Sequence, residues 1–292
     1  MSGGTGGAKL ARGLAELEDL VVVANTGDDT EVYGAHVSPD PDLVTYWLAD
    51  AIDERGYGIR GDTFEVLDAL AAAGRPTWFR LGDRDLAMCL VRTELLRAGS
   101  SLTEAHAAVV DAMGVHARVL PMCDEPVATW VRAEGRWLPF QEFMIVAGAA
   151  APVEGVELRG LERARPTEAV LAALAEAEAI VIGPSNPVIS IGPILSLPGM
   201  CEALAGAPAP VVAVSPFVDG GAVKGPTESF CAQAGIEPSA TGIARAYDGV
   251  VDAIVADEAV AGLPSVVIDT LMDTPEDRRR VAASVLELAR SL

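Results

Sequence analysis

Leu20-Val21-Val22-Val23-Ala24 runs directly into Asn25-Thr26-Gly27-Asp28-Asp29. A short β-branched run that stops at a polar turn reads as a strand covered on both faces, as in a parallel sheet with helices on either side. The unit recurs: residues 179–182 lead into Gly183-Pro184-Ser185-Asn186-Pro187, and 211–214 lead into Ser215-Pro216, with further runs at 250–255 and 266–268. Helical stretches separate these runs. The expected fold class is therefore α/β, a doubly wound, Rossmann-like, mostly parallel sheet. Ligands bind such sheets beyond the carboxyl ends of the strands, which puts the expected site in the three loops just quoted.

Working outward, residues 43–52, 63–73, 84–98 and 102–113 read as helices, the last opening on a Ser101/Glu104 capping box. Residues 116–147 alternate like strands, with Ala133-Glu134-Gly135-Arg136 as a turn between 127–131 and 137–140. The expected organisation is one domain over 1–292, with a core of 1–42 and 148–292 and a helical and β-hairpin insertion over about 43–147.

The chain has 292 residues, half of them hydrophobic, enough to bury a large core. A formal charge of −21 argues against non-specific binding to nucleic acid or to an anionic membrane surface. Four cysteines, Cys89, Cys123, Cys201 and Cys231, form no CxxC pair, so neither a zinc ribbon nor a disulfide framework is indicated, and a cytoplasmic location is expected. No stretch reaches the length of about 20 apolar residues that a membrane helix needs.

Only two of the 21 basic residues are lysines, and both lie in glycine-rich loops: Lys9 closes Ser2-Gly3-Gly4-Thr5-Gly6-Gly7-Ala8-Lys9, and Lys224 sits in Gly220-Gly221-Ala222-Val223-Lys224-Gly225-Pro226. Glycine lets backbone N–H groups converge on an anion, a following helix offers its positive end, and an ammonium adds a compact charge. Two such loops suggest a phosphorylated substrate. The first matches neither the Walker nor the dinucleotide spacing. Only Met1 precedes it, so the strand that ordinarily leads into a phosphate loop is expected to be missing here: either the start site is misassigned or another segment supports the loop.

Asp28, Asp29, Asp40 and Asp42 crowd the segment after the first strand, and oxygen-rich clusters of this kind suit magnesium, with Asp42 the best single ligand. In Trp78-Phe79-Arg80-Leu81-Gly82-Asp83-Arg84-Asp85, an arginine between two aspartates is pre-oriented to grip a phosphate or a ring edge, while Asp83 can cap the helix that follows. Ser185, Asn186 and Ser190 can hydrogen-bond a nucleotide. The histidines, His36, His106 and His116, have no metal spacing, and no GxSxG or Ser-His-Asp pattern is present, which disfavours covalent catalysis.

Taken together, GGTGGAKL, NTGDD, VSPDPD, WFRLGDRDLA, LPMCDEPV, FQEF, GPSNPVISIGPIL and VSPFVDGGAVKGP, in this order from Ser2 to Pro226, resemble the 2-phospho-L-lactate transferase family of coenzyme F420 biosynthesis. The resemblance implies transfer of a phospho-three-carbon-acid unit from a guanosine diphosphate-linked donor to the hydroxyl of the deazaflavin Fo, with release of GMP, dependence on magnesium, and a homodimer. It implies catalytic roles for Asp42 and Arg84, metal binding at Asp42 with Asp40 and Asp62 assisting, and substrate contacts from Gly3, Gly4, Thr5, Gly6, Gly7, Lys9, Asn25, Asp28, Asp83, Asp85, Ser185, Asn186, Ser190, Ser215 and Lys224. The chain departs from the family at Pro41, at Met88 and Cys89, where threonine and histidine are usual, and at Cys123, where serine is usual. A rival reading is a non-catalytic nucleotide-sugar-binding regulator of the same fold, related to the gluconeogenesis factor proteins. Those carry a serine-rich loop after their second strand, where this chain has Thr30-Glu31-Val32.

Overall fold

The computed structural model describes residues 1–223 and 225–292. Its strands are β1 (Val21–Ala24), β2 (Thr30–Val32), β3 (Ala35–Val37), β4 (Arg118–Pro121), β5 (Ala128–Ala133), β6 (Arg136–Pro139), β7 (Gly155–Arg159), β8 (Ile180–Ile182), β9 (Val211–Val214), β10 (Phe217–Val218), β11 (Gly221–Ala222), β12 (Ala253–Ala256) and β13 (Ser265–Val267). The helices are α1 (Gly4–Gly13), α2 (Pro39–Leu48), α3 (Glu65–Ala72), α4 (Asp83–Arg97), α5 (Leu102–Ala112), α6 (Glu168–Glu176), α7 (Gly192–Leu195), α8 (Met200–Ala205), α9 (Thr227–Ala234), α10 (Ala240–Ala246) and α11 (Pro275–Arg290).

The main sheet is parallel throughout. β4 pairs with β1 on one side, and β8, β9, β12 and β13 follow one another on the other. Met1 and Ser2 join the two halves: the Ser2 amide donates to the Val23 carbonyl at 2.8 Å and the Asn25 amide to the Ser2 carbonyl at 3.0 Å, while the Gly183 amide donates to the Met1 carbonyl at 3.0 Å. The strand expected to be missing is thus present as a two-residue stub, and the order across the sheet is β4, β1, stub, β8, β9, β12, β13.

Alternation along the strands builds a core on each face. Val212, Val214, Ala253 and Val255 pack against Leu10 and Leu14 of α1 and against Val281 and Val285 of α11. Val211, Ala213 and Ile254 face the other way, onto Leu174, Ile194, Met200 and Ile243 from α6, α7, α8 and α10. At about 1.5–3 kcal/mol for each fully buried aliphatic side chain, these two layers hold the sheet together.

Two boundaries differ from the sequence reading. Arg118–Pro121, assigned above to the insertion, is an edge strand of the main sheet, paired in parallel with Val21–Ala24 and burying Val119, Leu120 and Pro121. The first insertion helix is Pro39–Leu48 rather than 43–52: Ser38-Pro39 supplies a helix start with proline in the first turn. What stands apart from the sheet is residues 49–101 and the antiparallel set β6-β5-β7.

The stub feeds α1 on one face while its neighbour β8 feeds α7 and α8 on the other. Adjacent strands whose chains leave in opposite directions open a crevice at their carboxyl ends, and that crevice is where a ligand fits.

Candidate active site

Much of the glycine demand in the first loop is packing. A Cβ on Gly3 would sit 2.6 Å from that of Ser190, one on Gly183 would sit 2.9 Å from the Gly7 Cα, and one on Gly6 would overlap the Pro184 carbonyl. The loop thus brings α1 hard against the segment after β8, and the Gly7 amide donates to the Ser185 hydroxyl at 3.1 Å. Thr5 lies in the first turn of α1, and Gly4 takes a left-handed backbone conformation with φ 67°. The Gly4 amide, at the positive end of α1, is occupied by a carboxylate of the protein itself: it donates to Asp40 Oδ1 at 2.6 Å. The Asn25 amide donates to Asp40 Oδ2 at 2.9 Å, and Asn25 Oδ1 accepts from the Gly27 amide at 2.8 Å.

Several expected ligand groups turn out to be used by the fold. Lys9 points away from the loop and pairs with Asp273 at 3.0 Å, so its charge does not reach the glycines. Asn186 Oδ1 accepts from the Val188 and Ile189 amides, and the Ser215 hydroxyl accepts from the Phe217 amide, each closing a local turn. Ser190 is buried against Gly3. Lys224 lies outside the described residues.

The deepest chemistry lies in a cleft of about 160 Å³, whose carboxylates are Asp40, Asp42, Asp62 and Asp85. Asp42, expected as the best metal ligand, is anchored by an arginine and keeps a lone pair on each oxygen. Its two oxygens each accept from Arg92, Nη1 to Oδ1 at 2.7 Å and Nη2 to Oδ2 at 2.7 Å, a bidentate pair buried on both sides. Burial opposes the Arg92 charge, and Asp42 more than compensates, leaving the guanidinium pKa above its ordinary value. His106 stands behind the pair, with Nδ1 3.4 Å from Arg92 Nη1 and Nε2 3.2 Å from the Thr45 hydroxyl. Burial lowers its pKa to about 4, so the ring is neutral at physiological pH. Neither Arg92 nor His106 stands out in the sequence. The available signal is the spacing Asp85, Cys89, Arg92, which lines one face of α4 with polar groups where an apolar stripe is usual.

Asp62, expected near a metal through water, caps α4 instead: Oδ1 accepts from the Arg84 amide at 2.9 Å and Oδ2 from the Asp85 amide at 3.0 Å. Asp83 does not cap its own helix. It caps α3, accepting from the Glu65 amide at 3.0 Å and the Val66 amide at 3.1 Å. Arg84, expected to be catalytic, is exposed, bonded to the Arg60 carbonyl and 3.6 Å from Asp62 Oδ1. Asp85 does face the cleft. It accepts from the Tyr46 hydroxyl at 2.8 Å, and burial, reinforced by Asp42, raises its pKa to about 7.

Asp28 is buried, and its Oδ1 has no hydrogen-bond partner among the described residues. Burial and then the charges of Asp40 and Asp29 push its pKa well up, and Asp40 is itself raised to about 6, chiefly by burial. Two buried carboxyls that penalise each other's charge, one with an unused oxygen, form a donor set that a hard divalent cation satisfies. The mouth of the cleft has a different character. The Arg80 guanidinium lies 4.2 Å from the Phe64 ring centre, Arg55 sits 5.2 Å from that of Tyr57, and Phe79 adds a further ring. Stacked guanidinium and aromatic faces suit a flat, conjugated ligand.

Comparison with known proteins places the chain in a family. The sequence pattern of the family described as 2-phospho-L-lactate transferase CofD matches residues 1–281. A 2-phospho-L-lactate transferase of Methanopyrus kandleri is 41% identical, spanning 100% of this chain and 97% of that protein. One from Methanosarcina acetivorans is 39% identical over 99% of this chain and 97% of that protein. A phosphoenolpyruvate transferase of Streptomyces coelicolor is 38% identical over 100% of this chain and 98% of that protein. Among solved structures, a UPF0052 family protein from Bacillus halodurans superposes with a TM-score of 0.65 at 18% identity, over 98% of this chain and 96% of the other, a likeness of fold. Among the described residues, no helix is long and apolar enough to cross a membrane.

Proposed function

Because this chain belongs to the 2-phospho-L-lactate transferase CofD family, a family of transferases, we propose that it moves 2-phospholactyl or enolpyruvyl phosphate from a guanosine diphosphate-linked donor to the hydroxyl of the deazaflavin Fo. The observation that carries the reading is one cleft that brings the carboxylates of Asp40, Asp42 and Asp85 together with stacked rings and guanidiniums, and Asp40 links it to the start of α1. In this reading the acceptor hydroxyl oxygen forms a bond to the phosphorus of the three-carbon unit, the bridging P–O bond of the diphosphate breaks, GMP leaves with that electron pair, and the hydroxyl proton passes to solvent.

Displacement at phosphorus asks for positioning and charge neutralisation more than for a nucleophilic side chain. The flat acceptor lies against Phe64, Phe79 and Tyr57, with Arg55 and Arg80 over its edges. Asp42 accepts a hydrogen bond from the attacking hydroxyl, since Arg92 uses only one lone pair on each of its oxygens. The donor's phosphates lie at the switch point, near the start of α1 and Ser185. Asp28 and Asp40 would hold magnesium, which when bound neutralises charge on the leaving phosphate.

The test is to incubate the protein with Fo, magnesium and either lactyl- or enolpyruvyl-diphosphoguanosine made in situ, and to follow GMP and the deazaflavin mass by chromatography. A heavier deazaflavin appearing with GMP supports the reading, and comparing donors identifies the acid. Absence of product from folded protein in a validated assay contradicts it. Arg80→Ala is expected to raise KM for Fo by about tenfold, the loss of one stacked cation, with KM for the donor unchanged.

A further inference from the structure

We propose that Arg92, not Arg84, is the arginine on which turnover depends, as a positioning residue that acts through Asp42. The inference rests on the transferase reading above.

The sequence places Arg92 in the middle of α4, where an arginine ordinarily covers a solvated face. Here it is fully buried and every nitrogen is engaged. Nη1 and Nη2 grip Asp42, Nη2 donates to the His36 carbonyl at 3.0 Å, Nε points to the same carbonyl at 3.3 Å, and Nη2 reaches Cys89 Sγ at 3.6 Å. One side chain therefore ties α4 to the middle of β3 and to the first turn of α2, the turn that also carries Asp40 onto the Gly4 amide. His106 completes the arrangement from α5. Its Nδ1 accepts from Arg92, its Nε2–H donates to Thr45, and the Thr45 hydroxyl donates to the Pro41 carbonyl at 2.8 Å, inside the Asp40-Pro41-Asp42 turn.

Arg92 itself is absent from the lining of the cleft, whereas Asp42 belongs to it. A planar fork fixes both oxygens of its partner in one plane, so the lone pairs left on Asp42 point in set directions into the cleft. A lysine preserves the charge and cannot preserve that plane. By contrast, the exposed guanidinium of Arg84 is already committed to the Arg60 carbonyl and to Asp62.

The experiment is a double-mutant cycle in the transfer assay with Arg92→Lys, Asp42→Asn and the two combined, each with a thermal melt. The expected result is a loss in kcat of about a hundredfold for Arg92→Lys, with KM for donor and acceptor unchanged, at a temperature where the variant is folded. The combined variant is expected to be no slower than Asp42→Asn alone, because residues acting as one unit are not additive. Wild-type kcat in folded Arg92→Lys, or losses that multiply in the combined variant, would overturn the proposal. If Arg92→Lys does not fold, His106→Gln decides: a kcat lowered about fivefold at unchanged KM and melting temperature supports positioning, and wild-type kcat overturns it. Failure of the wild-type protein to turn over would defeat the transferase reading and this inference with it. Wild-type turnover with unaffected variants would defeat this inference alone.

Discussion

Asp40-Pro41-Asp42 and Asp83-Arg84-Asp85 have the same spacing, each opens a helix, and each contributes to the same cleft, yet the two turns are used differently. In the first, both carboxylates work inside the protein: Asp40 on the Gly4 amide and Asn25, Asp42 on Arg92. In the second only Asp85 does, while Asp83 caps α3 and the capping of α4 falls to Asp62. The difference comes from what packs against each turn. The first meets a glycine-lined helix and a buried arginine. The second meets α3, a short helix that buries none of its residues. Asp-x-Asp spacing thus announces a helix start, and the neighbouring elements decide whether it also becomes a site.

The sharpest break in this comparison is expected from substituting the matched positions. Asp42→Asn leaves Arg92 buried without its charge partner and should destabilise the fold by about 3–5 kcal/mol, besides lowering kcat by about a thousandfold. Asp83→Ala removes an exposed cap and should lower stability far less, with kcat unchanged. Denaturant melts and transfer assays on the two variants measure both effects. Equal losses at the two positions would contradict the distinction.

A smaller effect concerns pH. Burial, then Asp42, raises Asp85 in the fold from the ordinary 3.8 to about 7, so the folded state holds this proton more tightly than the unfolded chain. The stability that Asp85 contributes is fully present below the unfolded pKa and is lost as pH rises through the folded one. Melting temperatures of the metal-free protein should therefore fall across that window, and Asp85→Asn should flatten the decline. Identical slopes in wild type and variant would show that Asp85 is not the group responsible.

The sheet was largely legible in the sequence, because buried parallel strands are short apolar runs bounded by polar turns, and Val21–Ala24, Ile180–Ile182 and Val211–Val214 all read that way. Arg118–Pro121 was not, since its partner lies far away in sequence and nothing local distinguishes an edge strand of the sheet from a hairpin strand. At the site, the acidic turn that ends in Asp42 could be found from its composition. The glycine loop could be found too, but its purpose was only partly readable: Gly6 and Gly7 are required by the approach of Pro184 and Ser2, contacts that depend on tertiary packing. Lys9 misled for a related reason. The rotation of α1 about its axis, set by packing on α2 and α11, turns that side chain to Asp273. Arg92 stayed hidden because a mid-helix arginine gives no sign of burial until its partners on α2 and β3 are in place.

On the proposed reading, Asp28 and Asp40 of the first acidic region take the cation. The most direct measurement is the magnesium dependence of transfer in wild type and in Asp28→Asn, a substitution that keeps the shape of the side chain and removes the charge of a buried carboxyl. The account predicts a variant that melts no lower than wild type and needs roughly a hundredfold more magnesium for half-maximal turnover. Half-saturation at the same magnesium concentration in both proteins would contradict the placement of the cation at Asp28 and Asp40.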